Sequence, residues 1–332
     1  MRGTGIETIR YIIAALALGL IAVWGSENFF WSAPPPDLTI EAWLGTWAAY
    51  AAAAAVALSA VGLTRVAGLR AVFLGGALLG FVVEGVVVDE MYAAFPFQLV
   101  WTPLAWHALI TGVCVFGLGR AAAHWRLWRH LLALAGLGLF GAVFASFWPA
   151  ERAAMPPGDV VFLYLAGAGF VVPLGQIVLD RIGPVPRPPL AVGLIAPGLA
   201  LALWLAKSLA TPSLPRLAFP VMVGLTLWAM WRSGAAERSE RADFGPRGRI
   251  WRHLLFPIAP AITTFVAVPV WESTGALPGN VAVAAVTVPL SLGWWLWLIW
   301  RGARRGARRE ARRGARREAR RETRRGRGPR TS

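Results

Sequence analysis

The segment Leu69 to Glu90 reads LRAVFLGGALLGFVVEGVVVDE. After Arg70 it is apolar or glycine up to a single acid, Glu84, and the next acids are Asp89 and Glu90 at its far end. A helix needs about 20 residues to cross a hydrocarbon core of roughly 30 Å, and it pairs every backbone N–H and C=O internally. This segment meets both conditions while placing an ionisable group at membrane depth. Reading outward in both directions, similar stretches recur near 9–29, 40–62, 97–119, 130–149, 159–180, 190–210, 214–231, 253–271 and 281–300. The expected fold is an all-α polytopic integral membrane bundle of about ten helices, residues 1–300, followed by an Arg-rich tail, 301–332, expected to be cytoplasmic and disordered.

Composition agrees with this and sets aside a soluble basic domain. Of 332 residues, 57% are hydrophobic and 18 are Trp, and the net charge of +16 is very unevenly placed. The tail from Arg301 holds 15 Arg against 3 Glu, leaving only +4 for everything before it. From Gly302 to Arg325 the tail repeats as tetrads such as GARR and EARR, with no apolar residue larger than Ala, so it cannot build a core. Its expected form is disorder or a lipid-induced surface helix, and the expected partner of Arg301 to Arg330 is anionic lipid head groups. Nucleic acid is not expected, because no aromatic residue is interleaved with the arginines to stack on bases. The single Cys114 excludes an intrachain disulfide and a CxxC redox motif.

The first apolar run, Tyr11 to Val23, follows Arg2 and Arg10 as a signal peptide would, but no small-x-small cleavage site follows, so it reads as an uncleaved first membrane helix. With the N-terminus inside, 30 of the 33 basic residues fall on the inner side, and only Arg152, Lys207 and Arg216 fall elsewhere. Cell-membrane location with both termini cytoplasmic is therefore expected, and the 18 Trp divide evenly between the two interfaces. There is also an internal echo. Trp128-Arg129-His130-Leu131-Leu132 returns as Trp251-Arg252-His253-Leu254-Leu255, and at the same offset Trp148 meets Trp271. Spaced four helices apart, the two units would be a parallel four-helix repeat; the blander source is that Trp and Arg mark membrane boundaries in a chain rich in both.

Ionisable groups inside a bilayer are costly, and each is a candidate for function. Glu84 lies 14 residues beyond Arg70 and His107 lies 13 residues before Arg120 on the next, antiparallel helix. At 1.5 Å per residue both stand roughly 20 Å above the same boundary, so they share a depth. A Glu beside a His can share a proton, hold a cation or act as acid and base. The competing reading is a structural hydrogen bond between helices. Glu27, Asp89, Glu90 and Glu272, with Trp101 and Trp106, form the candidate substrate-binding set toward the outer side, where Asn28, Glu41 and Asp159 add to an acidic rim that solvated loops would also supply. His124, His130 and His253 lie beside Arg and Trp at helix starts and read as interfacial. No HExxH, GxSxG or Walker A motif is present, and no cofactor or metal is assigned.

Three functions compete. A permease-like transporter of a small solute ranks first, from the short loops, proline-broken helices and intramembrane Glu/His pair. A membrane-embedded enzyme acting on a lipid or isoprenoid ranks second, with Trp24, Trp43, Trp101 and Trp106 as an aromatic wall and Glu27 or Glu90 completing a metal site. A non-catalytic scaffold or assembly factor ranks third, and predicts that Glu84 and His107 tolerate exchange for Gln and Asn.

Overall fold

The computed structural model describes residues 2–29, 38–151, 154–234 and 249–325. These are 84% helical and contain no strand. Ten helices are long and apolar enough to cross a membrane: α1 Gly5–Asn28, α2 Ile40–Thr64, α3 Gly68–Val87, α4 Gln98–Ala122, α5 Leu127–Ala150, α6 Gly158–Ile182, α7 Leu190–Ala210, α8 Leu214–Gly234, α9 Ile250–Thr274 and α10 Gly279–Arg304. They make a multi-pass membrane bundle. One end of it, here the basic end, carries the start of α1, the turns α2–α3, α4–α5 and α6–α7, the end of α8 and the start of α9. The backbone of α10 remains helical through the Arg tetrads to Arg325, while residues 326–332 lie outside the described set.

Proline and glycine shape the helices. Pro lacks an N–H and its ring clashes with the carbonyl four residues earlier. Accordingly α6 breaks at Phe170 ahead of Pro173, and α7 breaks at Leu194 ahead of Pro197. Glycine lets helices approach. A Cβ at Gly76 would lie 2.9 Å from Ala108 Cα, and one at Gly80 would lie 2.8 Å from both Pro103 Cα and the His107 side chain, so α3 and α4 touch backbone to backbone. Small residues spaced four apart allow this in membranes, where packing and hydrogen bonding replace the hydrophobic drive. Gly25 does the same for α1, with Thr111 of α4 2.9 Å from where its Cβ would be.

Helices α1 to α4 pack in sequence order, and α6 lies against α1. On the other face of α3, Phe73 stacks on Trp294 of α10 at 4.2 Å, and Trp295 donates to Thr226 of α8 at 2.9 Å. The two echoed helices are direct neighbours. Arg252 donates to the Trp125 carbonyl at the basic end, Thr263 donates to the Gly138 carbonyl midway, and the Trp148 and Trp271 rings meet at 5.9 Å at the opposite end. So α5 and α9 run parallel, in contact along their length. Arg152 lies outside the described residues.

Candidate functional site

Three helices carry the site, and each leaves α-helical geometry where it does so. α1 is π-helical over Trp24–Asn28, α3 over Val83–Val87 and α4 over Trp101–Leu118. In a π turn the N–H reaches the carbonyl five residues back, as Phe29 N–H does to Trp24 at 2.8 Å and Val88 N–H to Val83 at 2.9 Å. Such turns are rare and gather at functional sites. Here they coincide in three adjacent helices, and the longest spans the Pro103 that denies α4 a regular ladder.

The Glu84 Oε1 and His107 Nε2 atoms lie 2.6 Å apart, both residues buried. The other ring nitrogen, Nδ1, is 2.8 Å from Ser26 Oγ, which is 3.0 Å from Thr111 Oγ1. This makes a continuous chain from Thr111 through Ser26 and His107 to Glu84, all of it buried. It has two self-consistent proton arrangements. With Glu84 ionised, Nε2–H donates to the carboxylate, Ser26 donates to Nδ1 and Thr111 donates to Ser26. With Glu84 protonated, every donor reverses. The two states differ by one proton and need no movement of a helix.

Beside it, the Tyr50 hydroxyl of α2 donates to Glu27 Oε1 at 2.6 Å, and the Tyr50 ring sits 5.9 Å from that of His107. Aromatic rings pack beside the pair. Trp24 stacks on Phe29 at 5.1 Å, Phe29 lies 6.4 Å from Trp106, and Trp106 meets Trp101 at 5.8 Å and Phe144 at 4.5 Å. The Trp106 N–H donates to the Gly25 carbonyl, and that of Trp24 to Leu165, so these rings are hydrogen-bonded as well as packed.

Toward the basic end the space is open. A cavity of about 470 Å³ runs between α1, α2, α3 and α4. Its deep end is His107 and Thr111, and its walls are apolar or small, including Leu18, Ala57, Gly75 and Leu79. Its mouth lies at Gly68, Arg120, His124, Trp125 and Val185, all on turns or helix ends of the basic end. A volume of this size is in the ordinary range for small-molecule sites.

The structure thus brings together Glu84, His107, Glu27, Trp101 and Trp106. It leaves the rest of the candidate set apart. Asp89 is clasped by Arg216 at 2.9 Å and Lys207 at 3.4 Å, the Arg216 guanidinium also lying over the Tyr92 ring at 4.9 Å. The Tyr92 hydroxyl donates to the Gly85 carbonyl; burial foremost pushes its pKa up to about 12, against the pull of the Arg216 charge. Glu90 accepts from Gln98 at 3.2 Å, and Glu41, Asp159 and Glu272 are exposed. Trp43 pairs with Trp47 rather than joining the rings beside the pair. Among the described residues no three His, Cys, Asp or Glu are grouped to hold a metal.

Sequence reasoning passed over Ser26, Tyr50 and Thr111. Thr111 was the most accessible of them, since a residue four beyond His107 falls on its face of the helix. It also missed a second polar centre. Arg120 of α4 donates to Asp180 at 2.5 Å and to the Gln176 side chain at 2.9 Å, and His253 of α9 lies 3.0 Å from the other Asp180 oxygen. All four are buried, and so is His130, so of the histidines read as interfacial His130 and His253 are interior. Their proximity to arginines in sequence hid this, because a helix start is half inside and half outside the bundle. No protein-family model, curated protein or solved structure matches this chain. The class defined by fold and site is a multi-pass membrane bundle with a buried carboxylate–imidazole chain at the end of a one-sided cavity.

Proposed function

We propose that the protein is a permease-like carrier, seen with its substrate cavity open at the basic end and closed at the other. The observation that carries this is the cavity ending on His107 and Thr111, where the hydrogen-bonded chain to Glu84 begins. A carrier must expose one site to each side in turn, and the arrangement supplies what the open half of that cycle requires. The site sits at membrane depth, an access route leads from one face, and a packed lid of Phe29, Trp101, Trp106 and Phe144 separates it from the other. Glu84 and His107 hold the coupling proton, and Tyr50 with Glu27 continues the polar route toward the opposite end. The positive-inside rule makes the basic end cytoplasmic. A lipid-modifying enzyme would share the apolar walls, but it would release an altered product instead of moving an intact one.

The test is accessibility from each side. In a Cys114→Ser background, Ala57→Cys on the cavity wall should react with a membrane-impermeant maleimide only from the basic side. Asn28→Cys, beyond the lid, should react only from the opposite side and more slowly. Glu84→Gln should change the two rates in opposite directions, since a carrier cannot be open both ways at once. If Ala57→Cys is inert from both sides, or if Glu84→Gln leaves both rates unchanged, the protein is not a carrier of this kind.

A further inference from the structure

We infer that the cavity takes the hydrocarbon chain of a single-chain, anionic amphiphile drawn from the leaflet at the basic end. This rests on reading the cavity as the substrate site, and it names the substrate class. The first argument is the distribution of polarity along the cavity. From Leu79 and Ala54 near the deep end to Ala67 and Ala71 near the mouth, the walls are Ala, Gly, Val, Leu and Phe, and the polar lining is confined to His107 and Thr111 at one end and Arg120 and His124 at the other. The deep polar groups are turned to one another: both His107 nitrogens and the Thr111 hydroxyl are already bonded within the chain to Glu84. A strongly hydrated solute would lose its water there and gain few partners. A hydrocarbon chain loses nothing.

The second argument is the position of the mouth. Trp125 lines it and Trp128 stands exposed three residues on, and such residues sit at the head-group layer. A chain inserted through this mouth leaves its polar end in that layer. The charge there is one-sided. Arg65, Arg126 and Arg129 are exposed around the mouth, whereas two acids of that end, Glu7 and Asp180, are engaged. Glu7 is bound to Arg10 and to the Arg187 N–H, and Asp180 to Arg120 and His253. A negative head group therefore meets exposed cations, while Glu7 and Asp180 are already paired.

The probe is a 12-carbon alkyl phosphate with a diazirine at its terminal carbon, incorporated into vesicles containing the full chain. Irradiation should label the cavity wall, at residues such as Ala57, Val72 or Leu79. Excess dodecyl phosphate should abolish that labelling, and dodecyltrimethylammonium should not. Gly75→Leu, whose Cβ would sit in ordinary contact 3.7 Å from Val61, fills the cavity and should remove the wall label while labelling of lipid-facing Leu199 persists. Photolabelling reads occupancy of the wall and the maleimide reads alternation between sides, so a protein that fails the accessibility test can still bind the chain, and the two readings fail separately. Label confined to lipid-facing residues overturns the proposal even if Gly75→Leu does not fold, because the wild-type chain alone decides it. Equal competition by the cationic amphiphile also overturns it as stated.

Discussion

Helices α3 and α7 have the same mean hydropathy, 1.8, and nearly the same length, yet 72% of the α3 window is buried in the protein against 11% for α7. Hydropathy separates water from everything apolar, and it does not separate lipid from protein. Glycine placement does. On α3, Gly76 and Gly80 leave no room for a side chain against α4, whereas a Cβ at Gly198 on α7 meets nothing within 4 Å. The lipid-facing helix carries no buried ionisable group; the enclosed one carries Glu84 on the face that glycine opened.

The contrast breaks or sharpens by substitution, each unfolding free energy being measured in mixed micelles. The largest effect is expected from His107→Leu. It leaves a buried carboxylate with no partner, a change worth about 3–5 kcal/mol in buried pairs, and Glu84→Gln should recover much of it in the double variant. Next comes Gly80→Ala, expected to destabilise by about 1–3 kcal/mol because the new methyl meets Pro103 backbone that cannot rotate away. Thr111→Val removes one hydrogen bond to Ser26 and should lower stability by about 0.5–1.5 kcal/mol. The smallest shift is Gly198→Ala, at most about 1 kcal/mol and stabilising, since it stiffens the unfolded chain and touches nothing. Equal shifts for Gly80→Ala and Gly198→Ala would mean that α3 is no more enclosed than α7.

Much of this was legible in the chain. All ten spans could be read from apolar length, and the shared depth of Glu84 and His107 from their distances to Arg70 and Arg120. The spacing Gly76, Gly80, Glu84 was also present and announces a close helix contact with an acid on the contacting face. What a sequence alone could not give is rotation. Asp89 looked like one more acid of an outer rim until Arg216 and Lys207, more than a hundred residues later, closed on it. His253 looked interfacial until α9 turned it toward Asp180 of α6.

The division has one physical cause. Lipid offers no hydrogen-bond partners, so each span must satisfy its backbone within itself, and that local requirement writes the number, length and depth of the helices into the sequence. Which side of a helix meets protein and which meets lipid is settled by contacts between distant segments. Only the assembled bundle decided that α4 would be wound as a π-helix around Pro103, that Ser26 and Thr111 would complete the chain to Glu84, and that a cavity would remain beneath them.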